Sequence, residues 1–275
     1  MQNSYQLVRV FDKKGVADGN QAAVFLSAYP VSLNQNELIS LSADIHRDDG
    51  IATTCFTSEV SDGEYGVACF NNKSEIQCCG HGMIAAAKNI FLKNNVSKII
   101  INKNISASQN LDKYGHDVIE LSLPRELSQL QSIPDWTKTT ITLKHEKIIP
   151  IKSASTKNDD GYLLLELTPV LSQKEFSGLE LDIDKVCENT KRALVIIQFD
   201  KNTCELYMRY FAPLYGVVED VATGSVMRFV GDYIEKQYQC IEFDVYQCST
   251  GGGYMKIKCV NDNILITANA SMESS

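Results

Sequence analysis

Two short stretches of the chain combine a group that can move a proton with glycines and the expected start of a helix. The first, 78–82, reads Cys-Cys-Gly-His-Gly, and the second, 220–225, reads Asp-Val-Ala-Thr-Gly-Ser. Histidine exchanges a proton near neutral pH, so His81 is a candidate acid or base. The free amides of a helix start, together with the helix dipole, bind anions. The residue types therefore indicate an anion-binding site with a candidate acid or base beside it.

Each stretch lies between an apolar strand and an apolar helix. Tyr65–Phe70 and Met208–Phe211 are expected strands, and apolar residues recur at helical spacing over 82–94 and 224–236. The first of these helices is rich in alanine, a strong helix former. The pattern predicts two lobes that each present a helix start, so that one anionic substrate can lie between them.

Ordinary structural roles also explain the same residues. Thr223 or Ser225 is a common N-cap of any helix. Asp220 is a charge that stabilises a helix dipole. Considered by itself, His81 is explained as a structural histidine that hydrogen-bonds to the backbone, and Asn20 is explained as part of a plain turn.

Composition narrows the classes of function. The chain has 275 residues, of which 44% are hydrophobic and 22% charged, which suits one large globular domain or two lobes. A net charge of −8 with no basic run argues against a nucleic-acid or anionic-membrane partner. The absence of a signal peptide and of a long apolar run predicts a cytoplasmic protein. Nine scattered cysteines and four histidines lack metal-ligand spacing, so we expect no metal and no structural disulfide.

Four motifs follow one another along most of the chain. They are Phe11 with 19–24 (Gly-Asn-Gln-Ala-Ala-Val), 79–81 (Cys-Gly-His), 209–213 (Arg-Tyr-Phe-Ala-Pro) and 219–225 (Glu-Asp-Val-Ala-Thr-Gly-Ser). Together they resemble the phenazine-biosynthesis isomerase-like (PhzF-like) family of the diaminopimelate epimerase superfamily. Because the match rests on the order and spacing of all four, it is more specific than any one of them.

The resemblance implies an α+β fold of two pseudo-symmetric lobes, each a curved mixed β-sheet or barrel wrapped around a central α-helix. The lobes are expected over 1–118 and 119–275. Whether the last strand of the chain joins the C-terminal lobe or returns to the N-terminal lobe is left open. The resemblance also implies a homodimer. The implied activity is a cofactor-independent isomerase that moves a proton at carbon of a small carboxylated metabolite in the cleft between lobes.

The resemblance also assigns roles to residues. His81 and Asp220 are the candidate catalytic groups, with Cys79 as an alternative thiolate base. The candidate substrate-binding residues are Asn20, Thr53, Gly80, Gly82, Thr223, Gly224 and Ser225.

One position departs from the family's pattern. The family usually carries Ser-Glu-Thr-x-Phe, with the glutamate as the main acid/base, whereas residues 52–56 read Ala-Thr-Thr-Cys-Phe. Thr53 stands at the glutamate position, and a threonine hydroxyl cannot remove a carbon-bound proton unaided at neutral pH. The candidate replacement bases are His81, Asp220, Cys79 and, on an expected loop, Asp48 and Asp49.

Three functions therefore remain open. The first is the isomerase, and the second is a catalytically silent protein that binds or senses a small molecule. The third is a one-sided Cys/His amino-acid racemase or epimerase. Two-cysteine racemases of the superfamily place one cysteine at each helix start. Cys79 matches the first of these, but Val221 occupies the approximate place of the second.

Overall fold

The helices are described first, because two of them carry the candidate residues. The computed structural model describes residues 5–26, 34–168 and 170–273. The α-helices of that part are α1 (Gln35–Asp49), α2 (Gly80–Asn94), α3 (Gln173–Ser177), α4 (Ile183–Asn189) and α5 (Met227–Tyr238). Short 3-10 helices cover Asp135–Thr139 and Pro213–Tyr215. No helix among the described residues has the length and apolar character that crossing a membrane requires.

Strands make up most of the remaining regular structure. In chain order they are β1 (Gln6–Val10), β2 (Asn20–Phe25), β3 (Thr54–Ser61), β4 (Glu64–Phe70), β5 (Glu75–Ile76), β6 (Lys98–Ile101), β7 (Ile105–Leu111), β8 (Asp117–Pro124), β9 (Gln129–Gln131), β10 (Ile141–Leu143), β11 (Glu146–Lys147), β12 (Lys152–Ser155), β13 (Tyr162–Glu166), β14 (Glu180–Leu181), β15 (Ala193–Asp200), β16 (Glu205–Phe211), β17 (Glu242–Gln247), β18 (Gly253–Val260), β19 (Asn263–Ala268) and β20 (Ala270–Glu273).

The chain divides into two compact units. The first comprises Met1–Pro124 with Leu265–Ser275, and the second comprises Arg125–Ile264. The boundary expected from the sequence, at 118/119, falls inside β8, which lies in the first unit as a whole strand. The end of the chain also belongs to the first unit, where β20 pairs antiparallel with β1.

The first unit is a mixed sheet with a regular alternation of pairings. β1 runs antiparallel to β2, and β2 runs parallel to β3. β3 and β4 form an antiparallel hairpin, and β6 returns parallel to β4. β7 and β8 then follow antiparallel. The chain passes through α1 between the parallel strands β2 and β3, and through α2 between β4 and β6.

The second unit repeats this succession. β12 is antiparallel to β13, β13 is parallel to β15, and β15 and β16 form an antiparallel hairpin. β17 then returns parallel to β16, and β18 is antiparallel to β17. Helices α3 and α4 correspond to α1, and α5 corresponds to α2. This agreement confirms the predicted α+β fold with pseudo-symmetry, which exists in topology although the two halves share no sequence repeat.

Each unit contains one buried central helix, as predicted. All residues from Gly80 to Phe91 of α2 are buried, and α2 contacts β1 to β4, β6 to β8 and β20. Ala86 is fully buried because its small side chain lets strands approach the helix closely. In the second unit α5 packs on β18, and Phe229 is fully buried.

The two central helices begin at different points from those predicted. α2 starts at Gly80, two residues before the expected position. The expectation that Ala222–Ser225 opens the second helix is wrong, because α5 starts at Met227. The amide of Met227 donates to the carbonyl of Gly224 at 3.0 Å, so Gly224–Val226 form a tight turn before the helix. Glycine is a poor helix former, which favours the turn at this point.

Candidate functional site

The starts of the two central helices differ from the starts of the other helices. α1, α3 and α4 each begin with a side chain that accepts from a backbone amide, namely Asn34, Ser172 and Asp182. The cap positions of α2 and α5 are Cys79 and Val226, and neither side chain makes a capping bond. Neither helix has an acidic residue in its first turn. The positive end of the helix dipole at these two starts is therefore not neutralised by a cap or first-turn carboxylate of the helix itself, which suits an anion.

His81 lies in the first turn of α2 and is almost wholly buried, with 6% of its surface exposed. Its Nδ1 atom is 3.6 Å from Sγ of Cys79, which precedes the helix. The ring is therefore held at the start of a rigid helix beside a thiol. Burial lowers the local dielectric, which strengthens any interaction of the imidazole with a charged ligand.

Three cysteines surround Gly82 at the same helix start. Cys55 and Cys69 are directly opposite each other on β3 and β4, with their sulfurs 3.4 Å apart. A Cβ atom on Gly82 would lie 2.7 Å from each of these sulfurs and 3.0 Å from that of Cys79. Only glycine fits there, because the sulfurs occupy the space of a side chain. Among the described residues no three His, Cys, Asp or Glu side chains form a set that could hold a metal ion.

This packing changes the acidity of the Cys79 thiol. The neighbouring Cys69 thiol and burial hold the pKa of Cys79 well above its ordinary value, although the adjacent His81 acts in the opposite direction. The pKa of Cys69 is also well raised, by the Cys55 thiol and by burial. Cys79 is therefore a neutral thiol at neutral pH, whereas a cysteine that acts as a nucleophile or base must be a thiolate.

Asp220 and Thr223 form the corresponding arrangement in the second unit. The hydroxyl of Thr223 donates to Oδ2 of Asp220 at 2.6 Å, and the amide of Asp220 donates to the carbonyl of Tyr210 on β16. Asp220 is half-buried, whereas Thr223, Gly224 and the following serine are buried. Neither Thr223 nor Ser225 is a helix cap, so the ordinary capping role does not account for them.

Gln247, at the end of β17, holds this loop from the side. Its Oε1 accepts from the amide of Thr223 at 2.7 Å, and its Nε2 donates to the carbonyl of Asp220 at 2.6 Å. The side chain is 2% exposed, so both bonds are shielded from water. Sequence reasoning assigned Gln247 no role. The signal was present, because Phe243, Val245 and Gln247 share the inward face of an alternating strand, where a glutamine requires partners.

A second pair holds the other end of the same loop. Arg209 on β16 makes a two-pronged ion pair with Glu219, with Nε–Oε1 at 2.6 Å and Nη2–Oε2 at 2.8 Å. Nη1 of Arg209 also donates to the carbonyl of Leu179. Both charged side chains are mostly buried, and such forked pairs are geometrically specific. This ion pair engages both carboxylate oxygens of Glu219 and so fixes the backbone position of its neighbour Asp220.

The remaining candidates of the first unit lie on neighbouring strands. Asn20 begins β2, is 7% exposed and pairs with Val10. The carbonyl of Thr53, just before β3, accepts from the amide of Ala23 at 3.0 Å, and Thr53 is buried. Alternation along an extended chain points Thr53 to the same side as Cys55, whose sulfur lies near Gly82.

Asp48 and Asp49 are not on a loop. They form the last residues of α1 and are exposed. Asp48 pairs with Arg47, and Asp49 accepts from the hydroxyl of Tyr5. Their surroundings are those of ordinary surface carboxylates, which gives no support to either as a buried base.

The structure thus gathers the predicted residues in two sets, one in each unit. Cys79, Gly80, His81 and Gly82 share the start of α2. Asp220, Thr223, Gly224 and Ser225 form the turn before α5.

Solved structures define the class of protein to which this fold belongs. A phenazine biosynthesis protein of the PhzF family from Enterococcus faecalis has a TM-score of 0.77, with 17% identity over 98% of this chain and 96% of that chain. A hydroxyproline epimerase from Agrobacterium vitis has a TM-score of 0.56, with 9% identity over 99% of this chain and 92% of that chain. At these identities the likeness is one of fold, and the fold is the epimerase type.

The sequence comparisons identify the family within that class. A family model described as phenazine biosynthesis-like protein matches residues 8–272, and the chain belongs to this family. An uncharacterized isomerase of Vibrio cholerae is 28% identical over 221 residues, covering 80% of this chain and 73% of that protein. The family resemblance inferred from the four motifs is therefore confirmed.

Proposed function

We propose that this protein is a cofactor-independent isomerase that moves a proton at carbon of a small carboxylated metabolite. The observation that carries the proposal is the placement of His81, buried in the first turn of a central helix that has no side-chain cap. An imidazole there can accept or donate a proton, while the helix start stabilises the negative charge that develops on the substrate. Names of relatives as isomerases support the same reaction class.

In the first unit His81 is the acid/base group, and Cys79 is not. A base must be deprotonated at the working pH, and the raised pKa of Cys79 keeps its thiol neutral. Cys79 instead packs beside Nδ1 of His81 and restrains the ring. The amides of Gly80 and Gly82 at this helix start are the proposed backbone contacts for the substrate, and Asn20 and Thr53 are the proposed polar contacts from β2 and from the start of β3.

In the second unit Asp220 is the second proton-transfer or substrate-orienting group. Its carboxylate is aimed by Thr223, and its backbone is held through Gln247. The amides near Gly224 and the hydroxyl of Ser225 are the proposed contacts for the substrate's carboxylate. The two sets serve one reaction in this proposal. His81→Ala and Asp220→Asn should then be strongly non-additive in the double variant, whereas additive losses would contradict it.

The test is a screen in deuterium oxide over small carboxylic acids and amino acids. Because the abstracted proton exchanges with solvent on the acid/base group, an isomerase of this kind introduces deuterium at the carbon that receives the returned proton. Incorporation detected by NMR, lost in His81→Ala, supports the proposal. Saturable binding with no incorporation for any acid that binds would overturn it.

A catalytically silent binding protein is the second candidate, and Thr53 favours it. Threonine replaces the glutamate that serves as main acid/base in the family's usual pattern. The same screen separates the two functions, because a sensor binds its ligand without exchange. A one-sided Cys/His racemase is disfavoured by the neutral Cys79 thiol. Val221, at the approximate place of a second cysteine, argues only against a symmetric two-cysteine racemase. The homodimer suggested by the family resemblance stays a prediction, which light scattering checks.

A further inference from the structure

Two thiols in the second unit lie close together outside the candidate site. Sγ of Cys240 is 3.2 Å from Sγ of Cys204 and donates its hydrogen toward that sulfur. Cys204 ends the turn between β15 and β16, and Cys240 follows the end of α5. Both residues are partly exposed and both are reduced thiols here. Cys55 and Cys69 are similarly close, at 3.4 Å, but they are fully buried beside α2 and closed to solutes.

The backbone around this pair is fixed on both sides. The carbonyl of Cys204 accepts from the amide of Asp244 on β17, at 3.0 Å. The amide of Gln239, directly before Cys240, donates to the carbonyl of Glu235 and closes the last turn of α5. The thiol of Cys240 also contacts the carbonyl of Glu242 at 3.2 Å. The two sulfurs already lie within contact distance, so a bond between them shortens their separation from 3.2 Å to about 2.05 Å.

We propose that Cys204 and Cys240 are a thiol pair that a small disulfide, such as oxidised glutathione, converts reversibly into an intramolecular disulfide. Nothing in the isomerase proposal uses either residue, and the site is independent of it. The disulfide would close a covalent loop around residues 205–239, which contain β16, Asp220, Thr223 and all of α5. The oxidation state of the pair would thereby set how firmly the second half-site is held.

The chemistry balances in two exchanges. The Cys204 thiol loses its proton to solvent and, as a thiolate, attacks one sulfur of oxidised glutathione, whose other half leaves as a thiolate. The Cys240 sulfur then loses its proton to solvent and attacks the Cys204 sulfur, which expels the second glutathione. Two protein thiols are oxidised and one glutathione disulfide is reduced to two glutathione molecules.

The surroundings of Cys240 explain which sulfur reacts first. Burial and the adjacent Cys204 raise the pKa of Cys240 to about 11. Cys240 is therefore protonated at neutral pH and a poor attacking group toward a solute. It becomes effective in the second step, because the mixed disulfide holds the electrophilic sulfur beside it at a high effective concentration.

The experiment treats the full reduced chain with glutathione buffers of increasing oxidised fraction, quenches with acid and maps the peptides. Trypsin with Glu-C yields peptides 202–205 and 237–242, which separate Cys240 from Cys248. We expect these two peptides joined, with glutathione adducts at less than about a tenth of the cross-linked product. Cys204→Ser should abolish the cross-link and leave Cys240 mainly unmodified, and Cys240→Ser should trap a glutathione adduct on Cys204.

The control variant is Cys187→Ser, on α4, which is also partly exposed and should leave the cross-link unchanged. The oxidised parent should melt roughly 5–15 °C above the reduced form, because the closed loop restricts the unfolded chain. The proposal is overturned if both thiols remain unlinked in fully oxidised glutathione. It is also overturned if Cys240 pairs with Cys259, or if the two redox forms melt at the same temperature.

Discussion

The hydroxyl of Thr223 donates a 2.6 Å hydrogen bond to the carboxylate of Asp220, three residues earlier. This bond fixes one carboxylate oxygen within the loop. Because the carboxylate is planar, the direction of its second oxygen is restrained as well. It also explains why a threonine follows this aspartate at this spacing. Hydrogen bonds to charged groups contribute about 1.5–3 kcal/mol, so the bond is strong enough to hold one rotamer.

Removal of this hydroxyl should therefore reduce turnover more than substrate binding. Thr223→Val keeps the shape of the side chain, and we expect kcat for the exchange reaction to fall by about 10- to 100-fold. Thr223→Ser retains the hydroxyl and should remain within about threefold of the parent. Equal rates for the valine and serine variants would show that the bond does not serve the reaction.

Gln247 should act as a positioning residue for the same loop. Gln247→Glu preserves the acceptor for the Thr223 amide but replaces the donor to the Asp220 carbonyl by a carboxylate oxygen. Because like partial charges then face each other in a buried place, kcat should fall by at least about tenfold. The measurement compares kcat and KM of Gln247→Glu with those of the parent, because a positioning role lowers kcat more than it changes KM. Tyr254→Phe, on the neighbouring strand, is the control, and a loss confined to thermal stability would argue against positioning.

Cys79 should tolerate replacement better than a catalytic base does. Since its raised pKa keeps it a neutral thiol, Cys79→Ser should retain exchange activity within about tenfold. A true thiolate base would lose about 10²- to 10⁴-fold on the same change. The comparison variant is Gly82→Ala, which should be the more damaging because a methyl group would strike three sulfurs.

The stability of the fold should fall in alkaline solution. Burial raises the pKa of Cys248 from 9.0 to about 12. Between those values the unfolded thiol is deprotonated and the folded one is not, so the folded state binds more protons. The contribution of this thiol to the free energy of unfolding is therefore fully present below pH 9. It declines as pH rises, by at most about 1.4 kcal/mol per pH unit.

The variant Cys248→Ala should flatten that decline, as measured by urea unfolding between pH 9 and 10.5. Val245→Ala removes buried volume from β17, which ends directly before Cys248, without removing a titrating group. It should lower stability equally at every pH. A slope that is the same in Cys248→Ala and in the parent would contradict the assignment.

The central helices show how far the sequence could predict the structure. The alanine-rich pattern after His81 is local, and it correctly predicted a buried helix. The start of α5 depends on residues distant in sequence, because Gln247 bonds the amide of Thr223 and Gly224 forms the turn. No local pattern contains that contact, so the predicted helix began too early.

The candidate residues show the same limit. Residue types and spacing identified His81, Asp220 and Thr223, since they stand in short motifs. The raised pKa of Cys79 depends on Cys69, which is placed beside it only through the pairing of β3 with β4. Likewise, α1 extends to Asp49, so the two aspartates expected on a loop end a helix instead.

The most direct test of the proposed function is the rate of deuterium incorporation at carbon for an acid that the screen identifies, measured in the parent and in His81→Ala. The account predicts incorporation by the parent and a fall of about 10²- to 10⁴-fold in His81→Ala, as is typical of one acid/base group. Thr53→Ala should cost much less than His81→Ala, and His116→Ala, at an exposed histidine outside the candidate site, should stay near the parent rate. An unchanged rate in His81→Ala would contradict the account.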